Sequence, residues 1–482
     1  MPRSAPSEAR GFRLGLAAIA AVTLWRVALL PFDATDLFVD EAQYWFWGQE
    51  LAWGYYSKPP LIGWILRAAT EIGSNDRFWI RLPLPLIHAG TAVLLALAGR
   101  RLFGGRIGGL AGAGFATLPA VAVGSLLVST DTPMLFCFAL ALLAFVALGE
   151  RRSVAWALAL GAAIGVGLLA KYAMVYFPLC AALAAALLPE RRIAWRDAGL
   201  AAALALAIVA PNLAWNASHD FATLQHTADN TDWRDAGLRP GALLAFWGGQ
   251  FAVAGPVLFA AYLGGLGRLR AIPPGRFLAA MSLPVFALVS IQALRSGANA
   301  NWAAAGHLGA VLLGVAVLAP RRRLLALSFA VNLAASLALP IAATQAARWH
   351  APGGNLMLAR YVGQGAVSRR AAAIAEAEGL DTLVSDSRTL LADFFYTLRD
   401  SRLAIHAAPV AGFPPHHYAL AHALPPGPGA VLFVSRDAEG PDCPVGGVTP
   451  ELVASWRPEQ GFVTDTIYAH RVMRRCWYPG PG

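Results

Sequence analysis

Apolar runs long enough to cross a bilayer recur along this chain, and that repetition constrains its fold more than any other feature. A spanning helix needs about 20 predominantly apolar residues. About eleven such segments can be placed before residue 345, at 14–31, 81–99, 107–125, 131–149, 153–170, 173–188, 198–215, 242–263, 277–293, 303–319 and 324–342. Of the 482 residues, 57% are hydrophobic and only 14% are charged. A soluble chain carries about 25% charged residues. The expected fold class is therefore a polytopic α-helical membrane protein.

Basic residues punctuate the runs. Arg100, Arg101 and Arg106, then Arg151 and Arg152, Arg191, Arg192 and Arg196, Arg268, Arg270 and Arg276, and Arg321, Arg322 and Arg323 fall in alternate connections. Positively charged loops stay cytoplasmic, so the N-terminus is expected inside. The opposite side then holds 32–80, 212–241, 294–302 and everything after 343. The net charge of +10 is a topology signal rather than a nucleic-acid footprint, and nucleic acid is not an expected partner. No small-residue cleavage site follows the first apolar run, which reads as a retained span.

Beyond about residue 343 the pattern changes. Residues 370–379 read as a helix, and 381–386 and 430–437 read as strands between Pro- and Gly-rich turns. A small α/β domain outside the membrane is expected over 343–482. It contains Cys443 and Cys476, a disulfide candidate in an oxidising compartment, whereas Cys137 and Cys180 lie within spans.

The stretch Asp36–Pro60 (DLFVDEAQYWFWGQELAWGYYSKPP) is no plain connector. Adjacent carboxylates, Asp40 and Glu41, open it, an aromatic belt including Tyr55 fills it, and Lys58-Pro59-Pro60 closes it. Aromatic residues at this density belong at the headgroup level, and the Pro pair holds the chain after Lys58 extended. Lys58 and Lys171 are the only lysines in an otherwise Arg-based chain. The two cations differ in shape and hydration, so their placement draws notice.

Other unusual polar residues fall on the same expected side: Asp131 at the mouth of the fourth span, Lys171 and Tyr172 between the fifth and sixth, Asn212, Asn216, His219, Asp220 and His226 after the seventh, and Asn299 and Asn301 in the last outer loop. Ionisable groups at membrane depth face a cavity or a partner. One outward-facing site is the economical reading, and the geometric expectation is that Asp40 and Lys58 converge on a common pocket.

Each residue has a plainer rival. Asp40 or Glu41 can cap a helix starting near Ala42, and Asp131 can cap its own span. Arg81 can snorkel to the interface. If not, a carboxylate could take a proton from an attacking hydroxyl, and Arg with Lys would suit a phosphate. His219 and His226, seven apart, could share a helix face and ligate a metal, but no tight ligand spacing supports this. No nucleotide-binding loop or nucleophile elbow occurs.

DEAQYWFWGQELAWGYYSKPPLIGW, followed in order by RLP, STDTPMLF, GLLAKY, PNLAWNASHDF and ANANWAA, resembles the bacterial polyprenyl-phosphate-sugar glycosyltransferases of the C-type membrane superfold. These are family 39-like relatives of the protein O-mannosyltransferases and the lipid A aminoarabinose transferase. The resemblance runs to about residue 303 and fades beyond. It implies inverting transfer of a sugar from a polyprenyl-phosphate donor to a glycolipid, glycan or protein acceptor at the periplasmic face of the bacterial inner membrane. A transmembrane glycosyltransferase domain would span 1–342, with the loop 32–80. Asp40, Glu41 and Asp131 would be catalytic, and Lys58, Arg81 and Lys171 would meet the donor phosphate. Tyr55, Tyr172, Asn212, Asn216, His219 and Asn301 would orient substrates. Aminoarabinose transferases place an acid immediately before Lys-Pro-Pro, where this chain has Ser57. No metal site is carried over, although a divalent metal cofactor stays open. The rivals from other classes are a lipid-linked-sugar flippase, expected to show mid-membrane polar groups and broken helices, and a non-catalytic scaffold.

Overall fold

The computed structural model describes residues 5–229, 231, 237–443, 449–458 and 461–478. Part of the expected outer segment 212–241 (residues 230 and 232–236) lies outside them. The chain separates into two compact units, one of 1–31, 52–54 and 58–341, the other of 32–51, 55–57 and 342–482.

In chain order the helices are α1 (Ala5–Leu29), α2 (Val39–Gln49), α3 (Leu61–Ile72), α4 (Arg77–Arg81), α5 (Pro83–Phe103), α6 (Gly105–Ala116), α7 (Pro119–Gly124), α8 (Asp131–Glu150) and α9 (Val154–Ala170). Then come α10 (Tyr176–Leu187), α11 (Trp195–Ser218), α12 (Ala222–Asp229), α13 (Pro240–Ala254), α14 (Pro256–Leu266), α15 (Gly275–Ala280), α16 (Leu283–Arg295), α17 (Gly306–Leu318) and α18 (Arg322–Thr344). All of these except α2 and the last three residues of α18 belong to the first unit.

Six helices among the described residues are long and apolar enough to cross a membrane: Pro6–Phe32, Arg77–Phe103, Asp131–Glu150, Trp195–Ser218, Gly275–Arg295 and Arg322–Thr344. The fold is thus polytopic and helical. Each remaining expected span falls on shorter or broken helix. The segment 107–125 divides at Leu118-Pro119 into α6 and α7. The segment 242–263, expected to be continuous, bends by 115° between α13 and α14. Gly255 sits at that bend with φ +83°, a region that only glycine enters without strain, and Pro256 cannot donate the helical hydrogen bond. A broken helix was expected of a flippase; among the described residues one pair of apolar helices bends this sharply.

Small residues set the packing of α6. An added Cβ at Gly108 would come within 2.5 Å of the Ala96 carbonyl on α5, and one at Gly15 of α1 within 2.3 Å of the Gly109 carbonyl. Backbones approach this closely only where side chains are absent, the usual device where lipid supplies no hydrophobic drive. The core then runs through α5, α8, α9 and α17 (Leu95, Phe138, Leu142, Leu160, Leu308, Leu312).

In the second unit, β1 (Thr382–Ser385), α20 (Arg388–Thr397) and β2 (Ala404–Ala407) form a parallel crossover. They are preceded by α19 (Gln364–Ala377) and followed by α21 (His417–Ala421). With β3 (Ala430–Ser435), β4 (Glu451–Trp456) and β5 (Ile467–Met473) they build one sheet in the order β2-β1-β3-β5-β4. β3 is parallel to β1, while β5 runs antiparallel to β3 and β4. Cys443 and Cys476 are joined by a disulfide.

The last segment of the second unit starts at Ala342, and the unit also takes in residues 32–51 and 55–57 of the first loop, α2 among them. The cause is aromatic packing. Phe46 lies 4.4 Å from Phe395 and Trp45 5.1 Å from Tyr396, centroid to centroid, so α2 lies on α20.

Candidate active site

In the second unit the first-loop acids occupy the opening turn of α2, where negative charge complements the helix dipole. Glu41 is fully buried, and its Oε2 accepts the Phe38 N–H at 2.9 Å. That is half of a capping box, so its side chain is at least partly engaged in shaping the helix start. Asp40 differs. Its side chain is 44% exposed and pairs with Arg388 at the start of α20. Arg388 Nη2 donates to Asp40 Oδ1, and Arg388 Nε donates to Gln43 Oε1 at 2.7 Å.

Tyr55 is buried. Its hydroxyl faces the carbonyls of Trp47 and Glu50 at 2.7 and 2.9 Å, and its ring stacks on Trp47 at 4.6 Å. It braces the end of α2. Burial pushes the His417 imidazole, beside this aromatic cluster, down to about 3.

In the first unit the remaining expected residues gather at helix ends. Lys171 Nζ donates to Asp131 Oδ1 at 2.7 Å, and Asn301 Nδ2 donates to Asp131 Oδ2 at 3.0 Å. Asp131 opens α8 and Lys171 terminates α9. Both are largely buried, at 14% and 22% exposure. Beside them Tyr172 donates to Asn212 Oδ1 at 2.8 Å and accepts from Asn216 Nδ2 at 3.0 Å. The expected outer segment begins inside α11, which carries Asn212 and Asn216 as buried residues and continues past Pro211 to Ser218. Asn212 also donates to the Trp53 carbonyl at 2.6 Å.

Arg81 is 1% exposed at the end of α4, so it does not snorkel. Lys58 is half-buried immediately before Pro59-Pro60 and α3.

An apolar cavity of about 380 Å³ lies among the helices of the first unit. Leu61 and Ile65 of α3, Ile87 of α5, Pro133, Phe136, Cys137 and Leu140 of α8, and Ala162, Ala163 and Val166 of α9 line it. Lys58 precedes α3, Arg81 precedes α5, Asp131 opens α8 and Lys171 ends α9. Four charged residues therefore sit at the termini of the four helices whose bodies wall the groove.

His219 and His226 do not share a helix face. His219 follows the end of α11, exposed and stacked on Trp215 at 4.1 Å, while His226 is on α12. Among the described residues no three His, Cys, Asp or Glu side chains converge as a metal site. Ser57, which stands where an acid would be needed, is buried.

Asp40 belongs to the second unit and Lys58 to the first. Two cations went unnoticed in the sequence. Arg388 had no signal, being one arginine among many. Arg26 had one, since it interrupts an apolar run. It is 2% exposed, and its guanidinium donates to the Ala116 carbonyl at 2.7 Å, Ser336 Oγ at 2.6 Å and Ser125 Oγ at 3.3 Å, tying α1 to α18 and to the ends of α6 and α7.

Residues 57–215 match the family described as dolichyl-phosphate-mannose-protein mannosyltransferase. The lipid A galacturonosyltransferase RgtD of Rhizobium johnstonii is 42% identical over 474 residues, covering 97% of this chain and 99% of that protein. The lipopolysaccharide core galacturonosyltransferase RgtA of the same organism is 30% identical over 206 residues, 41% of this chain and 40% of its own length. Among solved structures, ArnT from Cupriavidus metallidurans superposes with TM-score 0.68 at 15% identity when bound to undecaprenyl phosphate, covering 97% of this chain and 99% of that one. Its apo form superposes with TM-score 0.65 at 16% identity, covering 98% and 100%. At this identity the likeness concerns the fold alone.

Proposed function

Because the chain belongs to the family 39-type polyprenyl-phosphate-sugar glycosyltransferases, with a lipid A galacturonosyltransferase as its full-length relative, we propose that it transfers a galacturonosyl residue from a polyprenyl-phosphate carrier to lipid A. The transfer takes place at the periplasmic face of the inner membrane.

The groove walled by α3, α5, α8 and α9 is the observation that carries this reading. A space lined only by apolar side chains suits a prenyl tail, and charged residues at the termini of its wall helices suit the phosphate and sugar. Lys58 supplies a compact cation to the phosphate, and Arg81 a planar fork. Asp131, held by Lys171 and Asn301, orients the sugar or acceptor, together with Tyr172, Asn212 and Asn216. Asp40 accepts the proton of the attacking hydroxyl. The oxygen–anomeric carbon bond forms with inversion as the bond to the carrier phosphate breaks. Polyprenyl phosphate leaves with the electron pair, and the cations stabilise that charge as it develops. Ser57 stands where an acid would ligate a divalent metal, and among the described residues no three ligand side chains converge, so no step is routed through one.

Purified protein in nanodiscs, given polyprenyl-phosphate galacturonate and lipid A, should yield galacturonosyl lipid A and free polyprenyl phosphate. Asp40→Asn should lower turnover by about 10²-fold or more while donor binding persists. Wild-type turnover in that variant would refute the assignment. A flippase would move the donor between leaflets without releasing the carrier.

A further inference from the structure

The second unit already holds a carboxylate-reading device beside the proposed base. Arg388 opens α20, directly after the Asp386-Ser387 turn that follows β1. Its Nε is anchored to Gln43 Oε1 at 2.7 Å, and Gln43 is 1% exposed on α2. That buried anchor sets the plane of the guanidinium. The outer part of the fork then meets Asp40, and both side chains remain open to solvent, 39% exposed for Arg388 and 44% for Asp40.

A guanidinium in a fixed plane is the side chain best matched to a carboxylate, through two parallel N–H···O bonds. It has five N–H donors, of which Gln43 and Asp40 take two. The neighbouring imidazoles do not duplicate its charge. Burial lowers His416 and His417 below the usual imidazole range, and the nearby Arg388 charge adds to that effect. Asp40 Oδ1, meanwhile, is occupied for as long as Arg388 holds it.

We propose that Arg388 is the specificity-determining residue for the donor sugar, exchanging the Asp40 carboxylate for the C6 carboxylate of a uronosyl group. The exchange rests on the reading of Asp40 as the acceptor's base. It selects the donor and frees the base in one movement. A neutral hexose has no group that can displace Asp40, so it leaves the pair closed. Gln43 keeps the guanidinium oriented throughout, which makes it a positioning residue.

The test is competition binding and transfer in nanodiscs with two donors, polyprenyl-phosphate galacturonate and polyprenyl-phosphate galactose. Wild type should bind the uronosyl donor about 100-fold more tightly, since a site built for a polar group rejects the analogue lacking it. Arg388→Gln should bring that ratio to within about threefold of unity, and Arg388→Lys should restore part of it. A second arm uses Gln43→Leu, which should weaken uronosyl selectivity with the folded fraction kept. If Arg388→Gln lowers the affinity for both donors equally, or leaves the ratio intact, Arg388 is only a strut between α20 and α2 and the proposal is overturned. An Arg388→Gln protein that does not fold hands the decision to Arg388→Lys, whose unchanged ratio also overturns it. Turnover of Asp40→Asn reads the catalytic assignment separately, because the donor-binding ratio of wild type and Arg388→Gln is measured without turnover.

Discussion

Asp131 and Lys171 lie 40 residues apart in sequence and 2.7 Å apart in space. Lys171 drew notice by its rarity and Asp131 by its depth, but nothing in the sequence paired them. With both side chains largely buried, removing one partner leaves the other charge without compensation. Asp131→Asn and Lys171→Met should each destabilise the first unit by about 1–3 kcal/mol, between the exposed and fully buried limits. The double variant should recover part of this, and a thermal melt of all four proteins measures the coupling. Additive losses would mean that the pair is not energetically coupled. Asp393 offers a test in the second unit. Burial raises its carboxyl to about 6, the nearby Asp36 pushes the same way, and a hydrogen bond from Ser368 opposes. A folded value above the unfolded one favours the protonated form, so its contribution is complete below the usual carboxylate range and is lost as pH rises through about 6. Asp393→Asn should therefore stabilise the protein at pH 7.5 by at most about 3 kcal/mol and have little effect near pH 4. His417, held neutral, works in the opposite sense, losing stability as pH falls below the ordinary imidazole value. The comparison must therefore be variant against wild type at each pH.

At the scale of elements, hydropathy located the helices but not their breaks. The bend between α13 and α14 needs glycine twice over. Its φ is +83°, and an added Cβ would meet Asn332 Oδ1 at 1.8 Å. Asn332 already donates to the Ala254 carbonyl at 3.0 Å, holding the turn to α18. Gly255→Ala should cost about 2–4 kcal/mol from strain and overlap together, seen as a lower melting temperature in detergent. A wild-type melt would show that the bend relaxes freely. The short strands β1 and β3 were legible from their β-branched and aromatic runs, whereas α2 was not assignable to a unit. Its aromatic density fits a membrane interface as well as a protein interior, and only the ring contacts with α20 decide for the interior.

For the molecule as a whole, the arginine alternation is the basis on which a cytoplasmic N-terminus and an external α/β unit are proposed. Both ends of that assignment can be reached with single cysteines, because the native thiols Cys137 and Cys180 are buried and Cys443 is bonded to Cys476. Asp400 has an 88% exposed side chain, and Arg152 is exposed in an expected cytoplasmic loop. In spheroplasts, an impermeant maleimide should label Asp400→Cys at once and Arg152→Cys only after lysis. The reverse pattern would move the proposed site to the cytosol and end the reading.

The amino-acid sequence by itself determined where the chain enters apolar surroundings, which polar residues are unusual there and which family it belongs to. Hydropathy, charge rhythm and motif order are properties of neighbouring residues, so they survive without a fold. Only the tertiary structure decided that Asp40 meets Arg388 across 348 positions and that Asp131 meets Asn301 across 170. Hydrogen bonds and ion pairs act over a few ångströms through space. Their partners are selected by how α2 lies on α20, and by how the ends of α8 and α9 meet, which no local pattern encodes.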